Sequence, residues 1–349
     1  MDLKTSYYED IQLFPNRATL VWSLVLLLGL GFLPILTNSY VMYVASLMAV
    51  NVIVALGLNL LVGNTGQISL GHAGFVAIGA YTSVLLITKI GVPFLLAMVL
   101  GGVVAAAFGA LLAIPALRLE GPYLAIATLG FGLAVTVLIG RTPAFGGHMG
   151  ISVPRLDIGL RGAAYDQVVY YVIAGITVLM TVFARNLLKS RIGRAFQAVR
   201  DSDIAASALG VNIARYKTLS FSISAFYAGI AGALWALLLG FINPLLFSFT
   251  MSVVFLATIV MGGLGSVTGS VLGAIVMTFL SLQLENVVEI PLLGPALEAF
   301  SAVVMTPSGI ANISWVFTGL ILICVVLFEP LGLFGLWLRT KIYWKTWPF

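Results

Sequence analysis

Long apolar runs, separated by short polar or glycine-rich stretches, fill most of this sequence. They fall near 20–36, 41–62, 74–88, 93–114, 123–140, 167–184, 216–240, 250–263, 270–284 and 314–328. Most approach the roughly 20 apolar residues that cross about 30 Å of hydrocarbon. Hydrocarbon offers backbone N–H and C=O groups no partner, so such runs are helices or strands of a closed barrel. Barrel strands alternate apolar and polar residues, whereas these runs are continuous, and that excludes the barrel. The pattern predicts an all-α integral membrane protein of about ten transmembrane helices, with residues 1–349 forming a single transmembrane domain.

Composition agrees. The chain is 61% hydrophobic and 8% charged, against about 25% charged residues in a soluble domain. The net charge of +5 is not spread as a nucleic-acid footprint: seven of the 17 Lys and Arg fall within residues 185–217. The positive-inside rule makes that stretch a cytoplasmic loop. Counting outwards places both termini in the cytoplasm, together with Arg118, Arg339, Lys341 and Lys345. Residues 141–166 and 285–313 become extracytoplasmic loops. The second of these carries Glu285, Glu289 and Glu298 with no Lys or Arg, whereas Arg155 and Arg161 in the first are exceptions. Trp315, Trp337, Trp344 and Trp347 flank the last run, where interfacial anchors sit. The N-terminus has no basic n-region and no small-residue cleavage site, so 20–36 reads as a first span, not a removed signal. Cys324, the single cysteine, lies in an apolar run and reads as a buried thiol with no disulfide available.

Two stretches share the pattern G-x-x-G-x-[IV]-[ST]. They are Gly63-Asn-Thr-Gly66-Gln-Ile68-Ser69 and Gly262-Gly-Leu-Gly265-Ser-Val267-Thr268, each with a further glycine (Gly74, Gly273) eight residues after its second. Both interrupt apolar runs. Transporters place paired glycine-interrupted segments around the substrate path, although small residues also let helices pack closely without any such role. The candidate pathway residues are Asn64, Gln67, Ser69 and His72 at the first break, and Gly263, Gly265, Ser266 and Thr268 at the second. They offer neutral hydrogen-bonding groups and close backbone approach, which suit a transient path. The two hairpins point the same way in this topology, so the pattern does not establish an inverted repeat.

Every Asp and Glu lies at a span end or in a loop. Ion-coupled carriers need ionisable groups within the membrane, and only His72, beside the first break, answers to that. The same absence excludes a carboxylate pair, a His/Cys cluster and His-Glu-x-x-His, and there is no G-x-S-x-G nucleophile elbow. His72 and His148 read as hydrogen-bonded or solvent-facing histidines, not as a metal pair. No G-x-x-x-x-G-K-[ST] occurs, so ATP does not bind in that way, and the driving force is an ion leak, passive flow or a partner ATPase. Residues 189–210 favour the partner. After a basic stretch that includes Arg194, Asp201 or Asp203 can cap a short helix whose Ala-rich turns, with Ala205 and Ala206, end at Gly210. A small, smooth helix of that kind fits a partner's groove.

At these residues the chain resembles the permease subunits of ATP-binding-cassette importers for branched-chain amino acids. The resemblance covers most of 41–335. Four stretches carry it: GLNLLVGNTGQISLGHAGFVAIGA at 57–80, LRLEGPYLAIATLGFG at 117–132, residues 193–234, and TIVMGGLGSVTGSVLGAI at 258–275. Four stretches in the family's order are specific where one alone is only suggestive. The chain departs from the family's pattern at Leu133, at Phe145-Gly-Gly-His148-Met-Gly-Ile151 and at Phe328-Glu329-Pro330-Leu331-Gly332-Leu333. The resemblance implies a ten-helix importer permease in a bacterial or archaeal plasma (inner) membrane. Its implied partners are a second, related permease subunit, two cytoplasmic ATPases and an extracytoplasmic solute-binding protein, with no nucleic acid. ATP and Mg would bind on the ATPases, leaving this chain without a cofactor and without catalysis. Arg194, Asp203, Ala205, Ala206 and Gly210 would form the ATPase-coupling segment. Relatives also carry urea, short amides or other small acids, so these remain alternative cargoes. A passive channel and a membrane scaffold are the rival functions.

Overall fold

The computed structural model describes residues 17–119, 121–156, 159, 162–285, 319–320, 322–325, 327–329 and 331–346. In chain order the helices are α1 (Arg17–Leu36), α2 (Ser39–Thr65), α3 (His72–Leu85, continued by a π turn at Leu86–Ile90), α4 (Phe94–Ala116) and α5 (Pro122–Arg141). They continue as α6 (Ala163–Lys189), α7 (Arg191–Asp201), α8 (Asp203–Ala208), α9 (Ile213–Leu239), α10 (Phe249–Gly262), α11 (Val267–Glu285) and α12 (Gly332–Thr346). Two-residue strands β1 (Ile151–Ser152) and β2 (Phe241–Ile242) pair antiparallel, with Ile151 opposite Ile242 and Ser152 opposite Phe241. Val153 N–H extends the bridge to Gly240 O at 2.9 Å, tying the segment after α5 to the end of α9.

Six of the described helices are long and apolar enough to cross a membrane: Ser39–Thr65, His72–Ile90, Phe94–Ala116, Pro122–Arg141, Ala163–Lys189 and Ile213–Leu239. Apolar helices at Leu24–Leu36, Phe249–Gly262 and Val267–Leu282 are shorter. Much of the run at 314–328, the loop at 286–313 with Glu289 and Glu298, and the anchors Trp315 and Trp347 lie outside the described residues.

Helix α9 is the hub of the bundle, packed on α2, α3 and α4. Hydrocarbon tails are as apolar as leucine, so helices in lipid gain little by hiding apolar surface from one another and depend on close packing. Glycine supplies the closeness. A Cβ on Gly79 of α3 would lie 2.2 Å from Gly229 Cα, and one on Gly232 of α9 would lie 2.1 Å from Val76 O. On α4, a Cβ on Gly109 would meet Ala225 Cβ at 2.6 Å, and one on Gly57 of α2 would meet Tyr227 Cβ at 2.5 Å. Around this core, single side-chain bonds reach across to neighbouring backbones. Tyr227 OH donates to Met180 O (2.8 Å), Thr177 Oγ1 to Ala49 O (3.2 Å) and Tyr170 OH to Leu30 O (2.9 Å).

The stretch 185–217, expected as a loop holding one short helix that ends at Gly210, is helical over most of its length. Helix α6 runs on to Lys189 and turns at Ser190, whose Oγ accepts from Ile192 N–H at 3.1 Å. Helix α7 then forms because it has an apolar face to bury: Ala195, Phe196 and Val199 point inwards, and Phe196 meets the edge of Tyr216. Gly193 makes the turn tight enough, since a Cβ there would sit 2.2 Å from Leu188 O. The cap of α8 is Ser202, whose Oγ accepts from Ala205 N–H (3.2 Å), in place of the expected Asp201 or Asp203. Cys324, expected to be buried, is exposed on the surface of this chain.

The glycine contacts generate a test. G79A puts a methyl into the α9 backbone and should cost about 1–3 kcal/mol, the usual penalty of overpacking. G175A, on a face of α6 with nothing within 4 Å, should leave stability unchanged or slightly raised. Unfolding titrations in mixed micelles compare the two, and equal stability would refute the packing account.

Candidate functional site

Helix α2 ends where Gly66 adopts φ +70° and its N–H bonds to Val62 O (3.2 Å), while Gln67 N–H bonds to Leu61 O (3.2 Å). This left-handed closure needs glycine. The chain then runs without helix from Gly66 to Gly71, and its polar groups are taken up by other helices. Gln67 Nε2 donates to Thr65 Oγ1 (3.0 Å) and to Ser220 Oγ of α9 (2.8 Å). Leu70 N–H bonds to Thr128 Oγ1 of α5 and Ala73 N–H to Ser252 Oγ of α10, both at 3.0 Å. The second bond occupies one of the donors that the start of a helix leaves open. Gly71 lies so close to α5 that a Cβ would be 1.8 Å from Thr128 O, and Gly74 is 3.0 Å, by the same measure, from Gly132 Cα.

Asn64, Gln67, Ser69 and His72 are all buried within this chain. The His72 ring is edged by Phe75 and Phe255. Gln67 Oε1 and Ser69 Oγ complete no hydrogen bond among the described residues, and the His72 ring lies by the Val54 backbone carbonyl. Unpaired buried polar atoms cost about 1–3 kcal/mol each, so two such side chains so close together mark the stretch out. His148 sits elsewhere, with its ring against Gly140.

The second break is a tight hairpin. Helix α10 ends at Gly262, four residues turn, and α11 begins at Val267 with Gly269 N–H bonded to Ser266 Oγ at 3.1 Å. The two helices touch through glycines, because a Cβ on Gly262 would lie 2.1 Å from Gly269 O and one on Gly273 would lie 2.3 Å from Thr258 O. Gly263 is buried, Gly265 and Ser266 are half-buried, and Thr268 is exposed.

The two breaks meet. A Cβ on Gly63 would lie 2.4 Å from Gly265 N. Two residues outside the sequence-derived set make the joint. Asn59, only 2% exposed, donates from Nδ2 to Ser266 O (3.0 Å) and Ser270 Oγ (2.7 Å), and its Oδ1 accepts from Gly265 N–H (2.8 Å). Asn64 Nδ2 in turn donates to Asn59 O at 3.1 Å. Arg200, on the last turn of α7, donates from Nη1 to Gly63 O at 2.6 Å. The signal for Asn59 was an amide inside an apolar run, which is expensive in lipid unless partnered.

The expected coupling segment lies at the same end of the bundle. Asp203 pairs with Lys217, Arg194 donates from Nη1 to Lys189 O (3.1 Å), and Ala205 and Gly210 are exposed. Ala206 is buried, so it faces the bundle and cannot meet a partner as expected. Ile204 and Leu209, each 83% exposed, stand out instead.

The model of the family described as "Branched-chain amino acid transport system / permease component" matches residues 40–326. The chain belongs to this family. Within the permease family, the chain is 39% identical over 269 residues to the high-affinity branched-chain amino acid transport system permease protein LivM of Escherichia coli, covering 70% of this chain and 63% of that protein. It is 26% identical over 272 residues to the corresponding protein LivH of Salmonella typhimurium, covering 69% of this chain and 86% of LivH. A probable LivM of Methanocaldococcus jannaschii is 28% identical over 152 residues, 43% of this chain and 44% of its own length. The chain thus spans less than two thirds of the E. coli LivM that it matches. No solved structure matches it. The family match spans both breaks, and α7 and α8 as well.

N59L would leave Gly265 N–H without its partner and should lower folding stability by about 1–3 kcal/mol, the cost of a buried donor left unpaired. The exposed substitution T268V should stay within about 0.5 kcal/mol. Unfolding titrations in mixed micelles separate the two, and an unchanged N59L would remove Asn59 from the joint.

Proposed function

We propose that this chain is the transmembrane permease subunit of an ATP-binding-cassette importer that passes branched-chain or other hydrophobic amino acids. One observation carries the reading. The two glycine breaks of the permease family meet at the same end of the bundle that carries α7, α8 and the exposed Ile204 and Leu209.

On this reading α1, α10, α11 and the run at 314–328 complete about ten spans, and the α7–α8 end faces the cytoplasm together with both termini. Residues 141–166 and 285–313 face outwards toward an extracytoplasmic binding protein. A second, related permease subunit completes the path, and two ATPases supply ATP hydrolysis, with ATP and Mg bound on them. The path runs past Asn64, Gln67, Ser69 and His72 and the hairpin of Gly263, Gly265, Ser266 and Thr268. The unpaired atoms of Gln67 and Ser69 support this, because a polar cargo or water entering an opened path would supply the partners they lack. Closure of the ATPases would push α8 and switch access from one side to the other.

Ile204, Ala205 and Leu209 form the face offered to an ATPase groove, with Arg194, Asp203 and Gly210 around them, while Ala206 anchors α8 from beneath. I204D/L209D should abolish co-purification of ATP-binding subunits from native membranes while leaving the permease inserted. A206W should instead disturb the fold, because that side chain is buried. Full retention of the ATPases by I204D/L209D would count against the docking face. Vesicles holding the purified assembly should take up leucine only with ATP inside. Uptake without ATP would favour a passive channel, and uptake of urea or a short amide in place of leucine would reassign the cargo.

A further inference from the structure

Arg200 reaches from α7 to the glycine breaks. It sits at the end of α7, and α7 is fastened to the bundle by buried Ala195, Phe196 and Val199 and by the tight turn at Gly193. Its Nη1 donates to Gly63 O at 2.6 Å. That carbonyl belongs to the last turn of α2, where carbonyls have no helical partner and the helix end favours a cation. A charge-assisted bond there is stronger than a neutral one. The same Nη1 lies 2.9 Å from where a Cβ on Gly265 would stand, and the Arg200 stem lies 3.6–4.0 Å from a Cβ on Gly66. One side chain therefore bonds the first break at Gly63 and occupies the space that side chains at 66 and 265 would need. Bare glycines at 66 and 265 leave it the room.

We propose that Arg200 is a positioning residue that carries movement of α7 and α8 to both glycine breaks at once, holding them together in the closed arrangement and letting them part when α7 moves. This inference rests on the importer reading above. The guanidinium bonds a backbone carbonyl, so the latch reads the position of α2 and not the identity of any side chain there. Because Arg200 itself lies exposed at the surface, it is within reach of whatever covers α7 and α8.

The test uses the complete importer in vesicles, with leucine uptake and ATP hydrolysis measured together for wild type, R200A and R200K. R200A should keep hydrolysis and lose about tenfold in leucine moved per ATP, a loss within the usual range of coupling between sites. R200K, which keeps the charge and a donor, should recover part of it. Amide hydrogen exchange on the same complexes gives a second readout. In R200A, residues 63–71 and 263–266 should both exchange faster, while 150–153 and 240–243 at the opposite end stay unchanged. Coupled transport by R200A equal to wild type, or faster exchange at one break only, overturns the latch. If R200A fails to assemble, R200M, which keeps much of the stem and removes the donor, takes its place, and wild-type coupling with unchanged exchange at both breaks overturns the latch equally. A wild-type complex that hydrolyses no ATP during uptake sinks the importer reading instead, and the exchange comparison then decides the latch by itself.

Discussion

Backbones that nearly touch are the constraint on which the rest of this structure depends. In water, helices can be driven together by hiding apolar surface, and the fit can be approximate. In lipid that drive is weak, and what remains is contact itself. Helix α9 answers with Gly229 and Gly232 placed against Gly79 and Val76 of α3, and with Ala225 and Tyr227 set against Gly109 and Gly57. Dispersion per atom pair is small, but these approaches bring whole backbone segments into range. Once α2, α3 and α4 are fixed on α9, the non-helical stretch from Gly66 to Gly71 is fixed at both ends.

That stretch lives under the membrane's rule that no backbone polar group goes unpaired. Side chains of two other helices help meet the rule, Thr128 of α5 at Leu70 N–H and Ser252 of α10 at Ala73 N–H just beyond, while Ser220 of α9 holds the Gln67 side-chain amide. A break in a helix is tolerated here because neighbouring helices repair it. Asn59 does the same for the hairpin between α10 and α11, answering a backbone N–H, a backbone C=O and a hydroxyl with one amide. The two breaks are thus repaired by different means, one by several helices and the other by a single residue of α2.

Much of the fold was legible in the sequence, because hydrocarbon imposes a length on each helix and the apolar runs record it. The glycine breaks were legible too, since Gly63, Gly66, Gly263 and Gly265 interrupt those runs in a repeated pattern. Helix α7 was not. Its apolar face is only Ala195, Phe196 and Val199 within a strongly basic stretch, and the charge rule absorbed it into a loop that kept only the short helix ending at Gly210. Arg200 was hidden for the same reason, counted with six other cations whose sign, not geometry, was informative. Which way Ala205 and Ala206 face depends on how α8 rotates against the bundle, and composition does not fix rotation. Asn59 differs from Asn64 only in what another helix, some 200 residues later in the chain, places opposite it.

The bridge between β1 and β2 has a consequence of its own. It joins the ends of α5 and α9 by main-chain bonds, with Ile151 and Ser152 opposite Ile242 and Phe241, so the stitch is indifferent to which side chains those positions carry. At the other end the joint between the breaks runs through two side chains, Asn59 and Arg200. Mutational drift can therefore loosen or retune one end of the molecule a residue at a time while the main-chain pairing at the other end tolerates changes of its exposed side chains. A lineage of such chains could change Ser152 and Phe241 and still hold the same pairing there, provided Gly150 and Gly240 keep their positive-φ turns, and it would keep its amide and its guanidinium at the opposite end or lose the joint.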